Sequence, residues 1–115
     1  MDKKIARGSE VIKKEVGNII LRDIGLAGVL ITVTEVKISD PFTEAAVFIS
    51  VFPDKKFGEV FKILSKEVYS IQHQLNRRLR MRPVPKIRFV EDRREAEAGK
   101  VEEILEKIKE KPDNE

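Results

Sequence analysis

The fold of this chain is decided by residues 44–90, EAAVFISVFPDKKFGEVFKILSKEVYSIQHQLNRRLRMRPVPKIRFV. The segment over 44–52 has few polar interruptions, which is typical of a central strand that is covered on much of both faces. Apolar residues then recur every three or four positions from Phe57 to Leu79. This spacing predicts a helix, or two helices in line, over about 55–80, which Pro83 and Pro85 bring to an end. The short alternating segment over 86–90 predicts a further strand. Two strands separated by a long helical crossover are expected to be parallel neighbours in one sheet.

The segments before residue 44 add a helix and a strand. Apolar residues on a single helical stripe predict an amphipathic helix over 3–23, which is followed by a loop at Gly25 and Gly28. The β-branched residues over 29–38 predict a strand, and the apolar positions change parity at Glu35, which indicates a β-bulge. Turn-forming residues over 39–43 connect this strand to the next one as a hairpin.

After residue 94 the composition becomes acidic. Residues 95–111 carry a narrow apolar helical stripe and residues 95–115 have a net charge of −4, so we expect an acidic C-terminal helix over 95–111 and disorder over 112–115. The chain of 115 residues has room for one core, which we assign to 1–94. The predicted class is α+β, with a three-stranded mixed sheet, two helices on one face of that sheet and the additional C-terminal helix.

Residue types that are missing from the chain exclude several classes of protein. There is no Cys, so disulfides, thiolate nucleophiles and Cys-ligated metals are excluded, and a single His rules out a multi-histidine metal site. That residue, His73, lies off the main apolar stripe of the long helix and has no Asp one turn away to orient it. We therefore expect no catalytic residue, metal or cofactor, and a protein that is not an enzyme. No apolar run approaches the ~20 residues that a membrane span requires, so we expect a soluble cytoplasmic protein.

A block of arginines is the strongest functional signal. Residues 77–94 contain eight basic and two acidic residues, whereas the whole chain has a net charge of only +3. Such a block is typical of a surface that binds phosphates, and arginine can both hold a phosphate and stack on an unpaired base. The candidate RNA-binding residues are Arg77, Arg78, Arg80, Arg82, Lys86, Arg88 and, on the same helix, Lys66. Two alternatives remain: a solvated helix end, or ion pairs with the acidic tail helix. Glu91 and Asp92 are expected to be local partners of Arg93 and Arg94.

Three stretches of the sequence resemble the ribosome-binding factor A family: ITVTEVKIS (31–39), AAVFISV (45–51) and LRMRPVPKIRFVED (79–92). The last is the most specific, because family members show an Arg-x-x-Pro-x-hydrophobic-x-Phe-x-x-Asp run that Arg82, Pro85, Ile87, Phe89 and Asp92 satisfy here. The resemblance implies a type II KH-like domain, α-β-β-α-α-β, in which the long helix is kinked. The family marks that kink with Ala-x-Gly, and this chain has Glu67-Val68-Tyr69 instead. The Asp-Pro that many members have after the first helix is replaced by Ile24-Gly25.

The resemblance also implies a function. We expect a monomeric, non-enzymatic assembly factor that binds small-subunit ribosomal RNA and assists late maturation or 5′-end processing of the small ribosomal subunit. It would need no cofactor or small-molecule substrate. The alternative is a protein-interaction module that uses an exposed sheet edge or the tail helix to bind a partner.

Overall fold

The computed structural model describes residues 3–93, and the predicted elements of this part are confirmed. The helices and strands are α1 (Lys3–Asp23), β1 (Leu30–Ile38), β2 (Glu44–Phe52), a 3-10 turn (Asp54–Lys56), α2 (Phe57–Arg78) and β3 (Lys86–Glu91). The predicted tail helix over 95–111 and the predicted disorder over 112–115 lie outside the described residues. Neither α1 nor α2 is long and apolar enough to cross a membrane.

The three strands form one mixed sheet in the order β1-β2-β3. β1 and β2 are antiparallel neighbours, and β2 and β3 are parallel, as the helical crossover predicts. The pairing of β1 and β2 shifts register between Val33 and Glu35, which leaves Thr34 without a partner in the ladder and confirms the predicted bulge. Because the bulge inserts one residue, Val33 before it and Val36 after it both face the core.

α1 and α2 both pack on the same face of the sheet. Their apolar stripes bury side chains against β-strand residues of that face. The fully buried large side chains come from both helices, from β2 and from the turn before β3: Ile12, Val16, Ile19, Val47, Ile49, Val60, Leu64, Ile71, Leu75 and Pro85. The other face of the sheet is not covered by either helix. Strand alternation therefore places every second residue of β3 on this uncovered face.

α2 is one uninterrupted helix from Phe57 to Arg78, whereas the resemblance implies two helical segments. The kink was expected near Glu67-Val68-Tyr69. No glycine or other small residue occurs there to weaken the helix or to let another backbone approach it. The helix also gains burial in this region, because the half-buried Val68 packs against the core.

Two side-chain contacts fix β3 relative to the rest of the domain. Gln72 of α2 accepts a hydrogen bond from the backbone N–H of Ile87 at 2.8 Å and donates one to the carbonyl of Pro85 at 3.2 Å. At the other end of β3, the carboxylate of Asp92 accepts a hydrogen bond from the Thr34 hydroxyl at 2.5 Å. The first contact joins the start of β3 to α2, and the second joins its end to the bulge of β1.

Candidate nucleic-acid interface

The seven predicted RNA-binding residues are all exposed, and they are divided between α2, the turn after it and β3. Lys66 and Arg77 lie on α2, which packs on one face of the sheet, and Arg80 is the second residue after this helix. Lys86 and Arg88 lie on β3 on either side of the buried Ile87, so they belong to the uncovered face. Strand alternation turns the cations of β3 away from the side that α2 occupies, so we describe them as a second surface.

We call the first group the α2 surface and define it by Lys66, Arg77 and Arg80. All three are exposed, and within residues 3–93 none of them forms an ion pair with a carboxylate. Cations without a carboxylate partner keep their full charge available for a ligand. This surface can therefore contact phosphates without first breaking an internal ion pair.

Arg78 lies on the other side of α2 and faces α1. Its guanidinium is 3.9 Å from a carboxylate oxygen of Glu15, and this oxygen is buried without a hydrogen-bond partner. Next to it, Arg22 donates to Gln74 at 2.6 Å, and Gln74 donates to Asp23 at 3.1 Å. The hydrogen bonds from Arg22 and then from Gln74 hold the pKa of Asp23 below its ordinary value. Arg78 thus belongs to a polar contact between the two helices.

Arg82 caps the C-terminal end of α2. Its guanidinium donates to the backbone carbonyls of Leu79 at 2.6 Å, Met81 at 2.7 Å and Asn76 at 3.2 Å. Asn76 lies in the last turn of α2, Leu79 is its C-cap residue and Met81 lies in the turn beyond it. The last carbonyls of a helix have no partner within the helix, and a cation beside them also opposes the negative end of the helix dipole. Arg82, the arginine of the family run, therefore uses its guanidinium to bind backbone carbonyls of its own chain.

We call the second group the sheet surface and define it by Lys37, Lys86 and Arg88. Lys37 of β1 and Arg88 of β3 are both paired with Ala46 of β2, so they lie in one row across the uncovered face, about 10 Å apart given the usual strand spacing. The ammonium of Lys37 is 5.3 Å from the centre of the Phe48 ring, a cation–π distance. Sequence reasoning missed Lys37. Its position between the buried Val36 and Ile38 is the signal that would have placed it on this face.

The acidic pair at the end of β3 has two different roles. Glu91 accepts a hydrogen bond from Arg93 at 2.9 Å, as expected of a local ion pair. Asp92 is only 8% exposed and accepts a hydrogen bond from Thr34, which sequence reasoning did not anticipate. Arg94 lies outside the described residues.

Comparison with known proteins gives a consistent family. The sequence pattern of the family Ribosome-binding factor A matches residues 4–105. The ribosome-binding factor A of Clostridium perfringens is 34% identical over 110 residues, which cover 91% of this chain and 94% of that protein. That of Halothermothrix orenii is 32% identical over 110 residues, which cover 94% of this chain and 90% of that protein.

Solved structures share the fold. The crystal structure of ribosome-binding factor A from Thermus thermophilus is similar with a TM-score of 0.64 at 26% identity, over 76% of this chain and 94% of that chain. Coordinates of the T. thermophilus factor as fitted into the cryo-EM map of a 30S–RbfA complex have a TM-score of 0.62 at 24% identity, over 73% of this chain and 90% of that chain. The KH-like fold that the resemblance implies is thus confirmed. Since the family pattern covers most of the chain and relatives above 30% identity cover more than nine-tenths of it, the chain belongs to the ribosome-binding factor A family.

Proposed function

We propose that this chain is a non-enzymatic assembly factor that binds the small ribosomal subunit through its ribosomal RNA and assists late maturation, including 5′-end processing. Family membership supports ribosome binding, and the T. thermophilus factor of the same fold was fitted into a 30S–RbfA complex. The proposal includes a monomer that acts in the cytoplasm and needs no cofactor.

The observation that carries the proposal is the α2 surface. Lys66, Arg77 and Arg80 are exposed cations that have no carboxylate partner within residues 3–93. RNA presents a regular array of phosphates, and each cation that neutralises one releases a counterion from the RNA. We assign the direct RNA contacts to this surface. The sheet surface and the exposed but engaged Arg78 and Arg82 add positive potential that attracts the RNA.

The mechanism would be selection of one RNA conformation. A protein that binds a mature-like fold of the RNA more tightly than its alternatives raises the population of that fold in proportion to the difference in affinity. Moving an RNA segment from 1:99 to 99:1 requires a preference of about 10⁴-fold. No bond is made or broken by the protein, which agrees with the lack of a nucleophile and base arrangement in the sequence.

Two matched triple variants test the assignment, because each removes three positive charges from one surface. The first changes Lys66, Arg77 and Arg80 to Ala, and the second changes Lys37, Lys86 and Arg88 to Ala. Binding to purified immature small subunits is measured over a range of salt concentrations. We expect the slope of log affinity against log salt to become shallower by about 2–3 in the first variant, at ~0.7–0.9 for each lost phosphate contact, and by less in the second. Parent-like subunit binding by both variants at all salt concentrations would overturn the RNA assignment.

A protein-interaction module is the second candidate, and an apolar cluster at the sheet edge favours it. Leu30 and Phe52 are direct partners in the β1–β2 ladder and are 64% and 71% exposed. β1 is an edge strand, so its outer backbone groups are available to a partner strand within the part of the chain that is described. This candidate predicts that Leu30→Ser with Phe52→Ser abolishes subunit binding, and that binding by the parent changes little with salt. The first candidate predicts a steep salt dependence and a small effect of this double variant.

A further inference from the structure

The only tyrosine of the chain, Tyr69, is 85% exposed in the middle of α2. It lies on the side of the helix opposite to the buried residues Val60 and Ile71. An aromatic ring is a large apolar surface that proteins usually bury at least in part. The ring of Tyr69 instead extends into solvent from a rigid helical element.

Two lysines and the only histidine lie beside this ring on α2. With ~100° of rotation per residue, Lys62, Lys66 and His73 all lie within about 60° of the direction of Tyr69, and all three are exposed. Neither lysine forms an ion pair within residues 3–93. The nearest acid in sequence, Glu67, is about 160° away around the helix, so it faces a different direction.

The arrangement extends along the helix axis. The helical rise of ~1.5 Å per residue places Lys62 about 10 Å before Tyr69 and Arg77 about 12 Å after it. Tyr69 is therefore an aromatic surface with two lysines before it along the helix and Arg77 after it. The backbone of α2 is hydrogen-bonded through this turn as part of one continuous helix, so a ligand here would meet side chains and not backbone amides.

An exposed aromatic ring flanked by cations matches the chemistry of single-stranded nucleic acid. Bases stack on aromatic side chains with little dependence on sequence, while lysines hold the phosphates on either side. A duplex has no free base face to offer, because each of its bases already stacks on two neighbours. We propose that Tyr69 is a stacking platform for an unpaired base of single-stranded RNA, with Lys62 and Lys66 on the adjoining phosphates. This inference rests on the proposed function and names the form of RNA that the α2 surface recognises.

The sequence supplies a direct probe of this contact. Because the chain has one Tyr and no Trp, the intrinsic fluorescence of the folded protein excited near 280 nm comes from Tyr69 alone. We would titrate the full chain with a short unstructured RNA, with an abasic strand of the same length and with an RNA duplex. Stacking predicts strong quenching by the unstructured RNA. The abasic strand and the duplex are expected to bind through phosphates with little quenching.

Variants separate stacking from charge. Tyr69→Ala should weaken binding of the unstructured RNA by about 5- to 150-fold, which is the equivalent of ~1–3 kcal/mol of stacking, and leave its salt slope unchanged. Tyr69→Phe should retain binding, because the ring is kept. Lys66→Ala should make the salt slope shallower by about 0.7. Ser70→Ala, at an exposed neighbouring position of the same helix, is the matched control and should behave as the parent does.

The outcomes distinguish the two proposals. If the parent binds none of the RNAs, the proposed function itself fails. If the parent binds RNA with a steep salt dependence but Tyr69→Ala binds the unstructured RNA equally well, the stacking platform is refuted and the proposed function stands. Equal quenching by the abasic strand, or a loss of subunit binding in Tyr69→Ala with unchanged RNA binding, would also refute it. The second of these results would identify Tyr69 as a contact for a protein of the subunit.

Discussion

Replacing Arg82 tests whether this arginine builds the fold or binds the ligand. Arg82→Ala removes three hydrogen bonds from a charged donor to backbone carbonyls, at 2.6, 2.7 and 3.2 Å. A net ~0.5 kcal/mol for each bond is appropriate, because this residue is exposed and water replaces part of what is lost. The favourable position of a cation at the C-terminus of α2 adds about 0.3–1 kcal/mol. We therefore expect Arg82→Ala to lower the free energy of unfolding by about 2 kcal/mol.

Urea unfolding followed by circular dichroism measures this change. With a denaturant slope of ~1–3 kcal/mol/M, the midpoint should fall by about 1 M. Arg82→Lys should recover less than half of the loss, because a single ammonium cannot bridge three carbonyls in the way that a planar guanidinium does. Arg80→Ala is the matched control. It should leave the midpoint almost unchanged, since Arg80 makes no hydrogen bond or ion pair within residues 3–93, and should instead reduce the salt slope of subunit binding. An unchanged midpoint in Arg82→Ala, together with a salt slope reduced as much as in Arg80→Ala, would show that the capping argument is wrong.

Three further predictions concern stability and can be measured in the same urea assay. Gly17→Ala should raise the free energy of unfolding by about 0.5–1 kcal/mol, because a methyl group at this position of α1 meets open space. The free energy of unfolding of Gly8→Ala should be at least ~1 kcal/mol lower than that of Gly17→Ala, because its Cβ would lie 2.9 Å from the ring of Phe42. Equal effects of the two changes would contradict the packing at Gly8. Asp92→Ala should cost about 1.5–3 kcal/mol through the lost hydrogen bond from Thr34, and the double variant with Thr34→Val should cost clearly less than the sum of the single changes. Additive costs would show that the two side chains do not interact. Leu64→Ala should cost about 2–5 kcal/mol because this side chain is fully buried, and a cost below ~1 kcal/mol would place it outside the core.

The fold could be predicted from the sequence because periodicity reports burial directly. The stripe of α1, the alternation of β3 and the change of parity at Glu35 each arise from which side chains face the core, and each is found where the pattern places it. The end of α2 was predicted less accurately, because the helix stops at Arg78 although the helical spacing of apolar residues continues to Leu79. Leu79 is buried from an extended backbone conformation, and spacing alone does not distinguish this from one more helical residue.

The placement of the candidate site residues could not be predicted from the sequence, because charge in the sequence does not say which way a side chain points. The block over 77–94 is continuous in sequence, yet it is divided in space by the turn from α2 into β3 and by the alternation of β3. The sequence does not distinguish the role of Arg82 from that of Arg80, because both are arginines and only the fold brings the three carbonyls to Arg82. Lys37 and Lys62 lie outside the block, so a count of local charge passes over them.

The run that carries the family resemblance acts mainly in folding. Of its five matching positions, Arg82 caps α2, Pro85 and Ile87 are buried and held by Gln72, Phe89 packs against the core, and Asp92 fixes the bulge of β1. These residues stabilise the connection between α2 and β3, so the presence of the run indicates this fold. The run does not by itself indicate a ligand-binding role, because such a role requires side chains that remain available after α2 and β3 have packed together. In this chain the exposed cations of the α2 surface stay available in this way, and so does Tyr69, which stands where the resemblance places the glycine of the kink. If Tyr69 stacks on RNA as we propose, the family run does not reveal this contact, because Tyr69 lies outside the run.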